Sequence, residues 1–391
     1  MNDNGHLVIV GGGPAGLSAA RAYRDAGGKG SVTLLTSEDF PPYNRPPLTK
    51  DYLRGETRRN DLFLENEDWY RKNHVHLRLS TEVEALDAER HIVRLRGDEE
   101  ISYEACVLAT GSEPVRLPVP GGDDPEVISM REIPDSERLA KKVESGKRVV
   151  VIGSGFIGCE AATSLAMRGA EITMASMEES PQKQRLGEEV GQKITSWLEG
   201  RGVGLRMSSS VEAIEREGGG HRVYLDGGES VPADVVLFGT GVEARISLAS
   251  EAGLEIENGA VATDSSMRTS ATGIFAAGDI AFARSESAGR RLRVEHWGDA
   301  LEHGRIAGAG AAGGEAKWSS APGFWSTIGE ETIKYRAWGD GWDEVEFEER
   351  DDSFTAWYGK EGVVVGVLAH NADEEYQRGK KLIETHASMP R

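Results

Sequence analysis

Hydrophobic residues in this chain gather in short apolar runs separated by glycine-rich turns, and two of these runs open the same series of elements. Leu7-Val8-Ile9-Val10 is continuously apolar, as expected of a central parallel strand covered on both faces. Gly11-x-Gly13-x-x-Gly16 follows at once, with Pro14 just inside a predicted helix start, where its missing N–H costs nothing. The helix is predicted to run through Leu17 to about Ala26 and to stop at Gly27-Gly28, with a second strand over residues 31–36. Glu38 then stands about 20 residues beyond the glycines, where an acidic ribose ligand belongs. The order is that of a complete βαβ unit.

The same order recurs. Residues 147–152 form an apolar run, Gly153-x-Gly155-x-x-Gly158 follows, a helix reaches about Arg168-Gly169, and residues 170–174 read as a strand. Downstream, residues 103–111 resemble residues 233–241, and both end in Thr-Gly. Alternating apolar and polar positions at residues 91–95 and 221–225 predict antiparallel strands before each of them. Internal duplication is the simplest account, each half being a Rossmann-like unit with a small meander. Residues 272–279 form an apolar strand ending in Gly278-Asp279, read as a return to the first unit. Beyond about Lys317 the chain turns aromatic and strand-like, from Trp325 through Tyr335, Trp338, Trp342, Phe354, Trp357 and Tyr358 to an apolar run at residues 362–368. The predicted fold is therefore α/β, with two Rossmann-like dinucleotide-binding domains and a C-terminal α+β domain. The first domain is expected in two parts, residues 1–112 and 242–316; the second spans 113–241 and the third 317–391.

The glycine pattern has a mechanical meaning. The first glycine makes the strand-to-helix turn, the second lets the backbone approach a pyrophosphate, and the third lets helix and strand pack closely. One such pattern is a weak signal, but two in strand-helix context imply two dinucleotides.

Composition narrows the reading. The 391 residues suit two or three domains, and no stretch approaches the roughly 20 apolar residues of a membrane span. Met1-Asn2-Asp3-Asn4-Gly5-His6 runs straight into the first strand, leaving no room for a secretory signal, so the expected compartment is the cytoplasm. The net charge of −20 disfavours nucleic acid and anionic lipid as partners. Only Cys106 and Cys159 are present, too far apart for a Cys-x-x-Cys pair or a metal knuckle, and no metal site is expected.

The two fingerprints, the Thr-Gly repeats, the Gly-Asp strand and the segment Pro42-Tyr43-Asn44-Arg45-Pro46-Pro47-Leu48-Thr49-Lys50 together resemble the FAD-dependent pyridine nucleotide reductases of the glutathione reductase fold. Within that group the chain is similar, over essentially its whole length, to the oxygenase-coupled ferredoxin and rubredoxin reductases and to the apoptosis-inducing-factor group. The resemblance implies tightly bound FAD in the first domain and exchangeable NADH or NADPH in the second. Motif and resemblance together give a cofactor-binding set of Gly11, Gly13, Pro14, Ala15, Gly16, Ser37, Glu38, Arg45, Lys50, Val83, Ala109, Thr110, Gly111, Gly153, Gly155, Phe156, Ile157, Gly158, Glu160, Glu178, Gly241, Gly278, Asp279, Glu295, His296, Trp297 and Trp325.

Several of these carry particular roles in similar proteins. Arg45 is implied to contact the pyrophosphate side of FAD, and Asp279 its ribityl chain. Lys50, Glu160 and Phe156 are the candidate catalytic residues: Lys50 near the isoalloxazine N5 and able to pair with Glu160, Phe156 as a ring covering the flavin until nicotinamide displaces it. Glu160 also reads as a helix N-terminal carboxylate favoured by the macrodipole, and Phe156 as plain packing. Glu295-His296-Trp297 matches a segment beside the flavin, where His296 is either a proton donor or structural. Trp325, in Phe324-Trp325-Ser326, matches an aromatic pair facing the flavin cavity, with a core tryptophan as the alternative.

At the end of the second unit's second strand, where an NADH site usually places an acid, stand Ala175-Ser176-Met177 before Glu178. Glu178 acting late as the ribose acid favours NADH, whereas Lys183 and Arg185 meeting a 2′-phosphate favours NADPH. The function implied is hydride transfer from NAD(P)H to flavin N5, then single electrons to a ferredoxin- or rubredoxin-type iron–sulfur protein. No cysteine lies in residues 39–52, where disulfide reductases keep theirs, so a redox-active disulfide is not expected. An NADH-sensing flavoprotein and an NADH oxidase are the alternatives, and a homodimer stays open.

Overall fold

The computed structural model describes residues 5–390, so the polar start read at residues 1–4 lies outside the described residues. The first fingerprint sits in a five-stranded parallel sheet ordered Ile274–Ala276, Ala105–Leu108, His6–Val10, Ser31–Leu35, Val75–Arg78. The return of the chain is direct: Ile274 pairs with Cys106 and Ala276 with Leu108. The chain therefore leaves His6–Val10 in one direction and comes back on its other side. That reversal opens a crevice at the carboxyl ends of the strands, where ligands of open α/β sheets bind.

The second fingerprint sits in a sheet of the same construction, ordered Gly204–Arg206, Glu171–Ala175, Arg148–Ile152, Val235–Phe238, Ile128–Ser129, again all parallel. Each unit carries a three-stranded antiparallel meander, Val83–Asp87, Ile92–Leu95 and Glu100–Ser102 in the first and Val211–Glu217, Gly220–Leu225 and Ser230–Ala233 in the second. The duplication read from the sequence is thus a duplication of topology. One prediction was too simple: residues 272–279 are not a single strand. The strand ends at Ala276, and Gly278, at φ +79°, turns the backbone into a 3₁₀ turn over Gly278–Ile280. That turn aims Asp279 at the crevice instead of continuing the ladder.

The C-terminal part is a five-stranded antiparallel sheet, ordered Gly323–Ile328, Glu331–Ala337, Val363–His370, Ser353–Lys360, Glu344–Arg350, with the helix Asp373–Glu384 packed on it. A four-stranded sheet built from residues 256–293 was not legible in the sequence. Helix Trp297–Ala311 lies against Pro14–Asp25 with almost no separation: a Cβ on Gly304 or Gly308 would stand 2.1 Å from the carbonyl oxygen of Ala15 or Ala19. This close packing fixes both helix N-termini beside the crevice. Among the described residues, no helix is long and apolar enough to cross a membrane.

Candidate active site

The first fingerprint borders a cavity of about 890 Å³. Its floor comes from the ends of three neighbouring strands, residues 10–15, 109–113 and 277–279. Gly11 has φ +121°, and a Cβ there would stand 2.0 Å from the carbonyl oxygen of Ala109, so only glycine makes this turn. Gly13 shows the opposite environment: nothing lies within 4 Å of where its Cβ would be. It is also the N-cap of Pro14–Asp25 with no side-chain hydrogen bond, and the first turn holds no acid. Unpartnered N–H groups of a helix start bind a phosphate well. The cradle therefore fits a dinucleotide pyrophosphate, and the volume lies within the range of cofactor sites, roughly 300–1,000 Å³.

Charges at the rim are held by one another. Arg45 donates to Glu38 at 2.5 Å, to the Tyr43 hydroxyl at 2.9 Å and to the Arg131 carbonyl at 2.8 Å, and the Tyr43 hydroxyl donates to the other oxygen of Glu38 at 2.6 Å. Burial raises the Tyr43 hydroxyl far above its ordinary value, so it remains a donor. Asp279 accepts from Ser112 Oγ at 2.6 Å and from the Arg131 guanidinium at 2.9 Å. Arg131, which lines the cavity, carries no motif and was missed in the sequence. Ser37, Val83, Thr110, Gly111, Glu295 and Trp297 also line it. Gly16 does not: its Cβ would stand 2.0 Å from the Gly11 carbonyl, which makes it the packing glycine.

At one end the cavity meets the second unit. Ile157 and Glu160, in the first turns of helix Phe156–Met167, line it. Glu160 is 6% exposed and its carboxylate is fully engaged. Oε2 accepts from Lys50 Nζ at 2.5 Å and Thr49 Oγ1 at 2.6 Å; Oε1 accepts from Ser326 Oγ at 2.8 Å and the Thr327 amide at 3.3 Å. Lys50 itself is not part of the lining, because its ammonium is turned onto this carboxylate. The Phe156 ring meets Phe324 edge-on at 4.6 Å, with the Arg185 guanidinium 5.9 Å from its centre.

Two aromatic expectations need correction. Trp325 does not face the cavity; it is 45% exposed. The reason is strand alternation: in Gly323–Ile328, Phe324 and Ser326 take the inward face, so Trp325 points out. His296 does not line the cavity either. It is the N-cap residue of Trp297–Ala311, its ring 3.3 Å from Asp299 Oδ2 and 4.7 Å from the ring of Phe324.

The second fingerprint repeats the turn in a different setting. Gly153 has φ +102° and a Cβ there would stand 2.5 Å from the Gly239 carbonyl, but neither Gly153, Gly155 nor Gly158 lines the cavity. Gly155 is less open than Gly13, with the Gly239 carbonyl at 3.3 Å and Gln182 Nε2 at 3.9 Å. Glu178 reaches back across the two-residue delay: it accepts from Ser154 Oγ at 2.8 Å and from the Gln182 amide at 3.1 Å. Lys183 is taken by Glu179 and Glu188. Gly241 lies off both turns, its carbonyl accepting from the Val115 amide at 3.0 Å. Cys106 and Cys159 are both unpaired and fully buried, and burial pushes the Cys106 thiol up to about 12 and the Cys159 thiol higher still. Neither supplies a thiolate near neutral pH. Among the described residues no cluster of His, Cys, Asp or Glu could hold a metal ion.

Two Rossmann-like units, one with a cavity that fits a dinucleotide and one feeding a helix start into that cavity, define a two-nucleotide oxidoreductase. The chain belongs to the pyridine nucleotide-disulphide oxidoreductase family, whose model matches residues 5–304. It is therefore an oxidoreductase of a family that works with a flavin and a pyridine nucleotide. It is 33% identical over 329 residues to a rubredoxin-NAD(+) reductase of Pseudomonas putida, covering 84% of this chain and 85% of that one. It is 34% identical to the ferredoxin–NAD(+) reductase component of the anthranilate 1,2-dioxygenase system of Burkholderia cepacia, over 82% of this chain and 79% of that one. Its structure superposes with a TM-score of 0.93 on a chain of the covalent putidaredoxin reductase–putidaredoxin complex, at 29% identity and over 98% of this chain and 94% of that one.

Proposed function

We propose that the protein is a cytoplasmic FAD-dependent NADH reductase that passes electrons singly to a small iron–sulfur protein of the ferredoxin or rubredoxin kind. The observation that carries this reading is the start of helix Phe156–Met167. It begins inside the second fingerprint, yet its Ile157 and Glu160 line the cavity of the first. A nicotinamide held at the second turn would reach a flavin in that cavity without any relay. Flavin, when bound, supplies the chemistry that protein side chains lack, accepting a hydride and releasing electrons one at a time.

The chain's own residues do the rest. The open helix start behind Gly13 takes the pyrophosphate charge, with Arg45 and Arg131 at the rim, and Asp279 offers an acceptor beside them. Lys50, fixed by Glu160, places positive charge near the reacting end of the cavity. Phe156 does not itself line the cavity; its ring packs on Phe324 beside Ile157, which does, so a nicotinamide would meet it on the way to that end. With both thiols buried and protonated, no disulfide relay is available, despite the family's name. Glu178, seated at the second fingerprint, would accept from a ribose 2′-hydroxyl and repel a 2′-phosphate, while Lys183 is already engaged by two carboxylates and the Arg185 guanidinium lies over the Phe156 ring. NADH is therefore the preferred donor.

The test is an anaerobic titration of the purified protein with NADH, followed by mixing with a two-iron ferredoxin or a rubredoxin. Bleaching of bound FAD at one equivalent of NADH, then reoxidation by the carrier faster than by oxygen, is the expected result. Bleaching with no reoxidation except by oxygen would replace this reading with an oxidase. Alkylation of the native protein with iodoacetamide should leave turnover unchanged.

A further inference from the structure

Glu160 lines the cavity where it meets the second unit, and its four donors come from two other parts of the chain. Lys50 and Thr49 belong to the proline-rich loop, Ser326 and Thr327 to the C-terminal strand Gly323–Ile328. The two sides divide its oxygens cleanly, the loop on Oε2 and the strand on Oε1. Among the described residues the Lys50 ammonium has only this carboxylate and Thr49 Oγ1, at 3.3 Å, as partners. The position of the ammonium thus depends on where Oε2 points.

The terminal torsion of a glutamate is soft and broadly two-fold, so Oε2 is aimed only as well as Oε1 is anchored. Ser326 Oγ supplies the short anchor at 2.8 Å; the Thr327 amide at 3.3 Å is long for an N–H donor. Ser326 is buried and does not line the cavity, so it touches no reactant.

We infer that Ser326 is a positioning residue for hydride entry: its hydroxyl aims the Glu160 carboxylate and so fixes the Lys50 ammonium at the end of the cavity. This rests on the reductase reading above. Losing a hydrogen bond to a charged group allows about a tenfold or larger effect on a step that needs the ammonium in place. A mere brace between domains would lower melting temperature and leave the flavin alone.

The experiment uses the FAD-loaded enzyme and four variants, Ser326→Ala, Ser326→Thr, Lys50→Met and the double Ser326→Ala/Lys50→Met, read by stopped-flow reduction with NADH, flavin reduction potential and melting temperature. Ser326→Ala is expected to slow reduction at saturating NADH about tenfold and make the flavin potential more negative, with FAD content unchanged. Ser326→Thr, which keeps the hydroxyl, should recover most of the rate. In the Lys50→Met background the alanine change should cost nothing further. If Ser326→Ala does not fold, Ser326→Thr against Ser326→Val asks the same question. A wild-type rate and potential in the hydroxyl-free variant would overturn the inference, as would an undiminished tenfold loss without Lys50. A wild-type protein whose FAD is not reduced by NADH would instead overturn the reductase reading, and the inference with it.

Discussion

The two glycine fingerprints make the same turn but open onto different surroundings. At the first, Gly13 faces empty space, and the cavity beyond it is closed by residues brought from positions near 38, 83, 131, 245 and 279. At the second, Gly155 is closed in by the Gly239 carbonyl at 3.3 Å and Gln182 Nε2 at 3.9 Å, with Ser154, Glu178 and Gln182 hydrogen-bonded around the turn. A site assembled from the whole length of the chain holds its ligand on many sides. The proposed division, a retained flavin at the first turn and an exchanging nicotinamide at the second, follows this difference in enclosure.

The largest expected effect attacks both turns in parallel. Gly11→Ala forces a side chain into the left-handed region and against the Ala109 carbonyl, and Gly153→Ala does the same against the Gly239 carbonyl. The strain alone is about 1–2 kcal/mol before the clash, so losses of about a hundredfold in affinity are expected at each site. The first variant should purify without yellow colour; the second should keep its flavin spectrum and lose reduction by NADH at ordinary concentrations. Loss of flavin from both would break the distinction between the two sites.

Next comes Asp279→Ala. It removes the acceptor for Ser112 and Arg131 and leaves the guanidinium without its carboxylate at the cavity wall. An uncompensated charged partner costs about 1.5–3 kcal/mol, so flavin should dissociate roughly 10- to 100-fold more readily in dialysis, with the KM for NADH unchanged. Glu178→Ala sharpens the other side. It should raise the KM for NADH about tenfold, one lost charged hydrogen bond, lower it for NADPH, and leave flavin content as it was. A shift of flavin content instead would mean that Glu178 serves the first site.

Much of this contrast was legible in the sequence because it lies in local pattern. Apolar runs, glycine spacing and the repeated Thr-Gly segments marked the central strands of both parallel sheets and one strand of each meander, but not the edge strands Val75–Arg78, Gly204–Arg206 and Ile128–Ser129, and spacing alone placed Glu38 at the crevice. What escaped was set by distance in sequence. Arg131 follows a two-residue strand with no motif around it, and only folding brings it 2.9 Å from Asp279. Trp325 was assigned to the wrong side because a family match names a position but not the face of a strand. Alternation along Phe324-Trp325-Ser326 held that information, since any strand that buries Phe324 also buries Ser326. The delay of Glu178 after Ala175-Ser176-Met177 was visible, but its return to Ser154 was not.

The smallest expected effect tests whether the first site's crowded charges have a cost that the second does not share. Glu132 lines the cavity, and its carboxyl is raised above 4.5, first by burial and then by the neighbouring Glu38, with Arg45 and Arg245 offsetting only part. In the folded protein it holds its proton to higher pH than in the unfolded chain. As pH rises from 4.5 the unfolded chain ionises first, so the folded state binds more protons and stability falls through this window. Glu132→Gln removes that cost. The variant should melt higher than wild type by about 1–2 °C at pH 7 to 8, and the difference should shrink toward zero as pH is lowered to 4.5 and below. A difference that grew on acidification would show that the carboxylate is stabilised by Arg45 and Arg245, making the first cavity a balanced ion cluster and not a strained one.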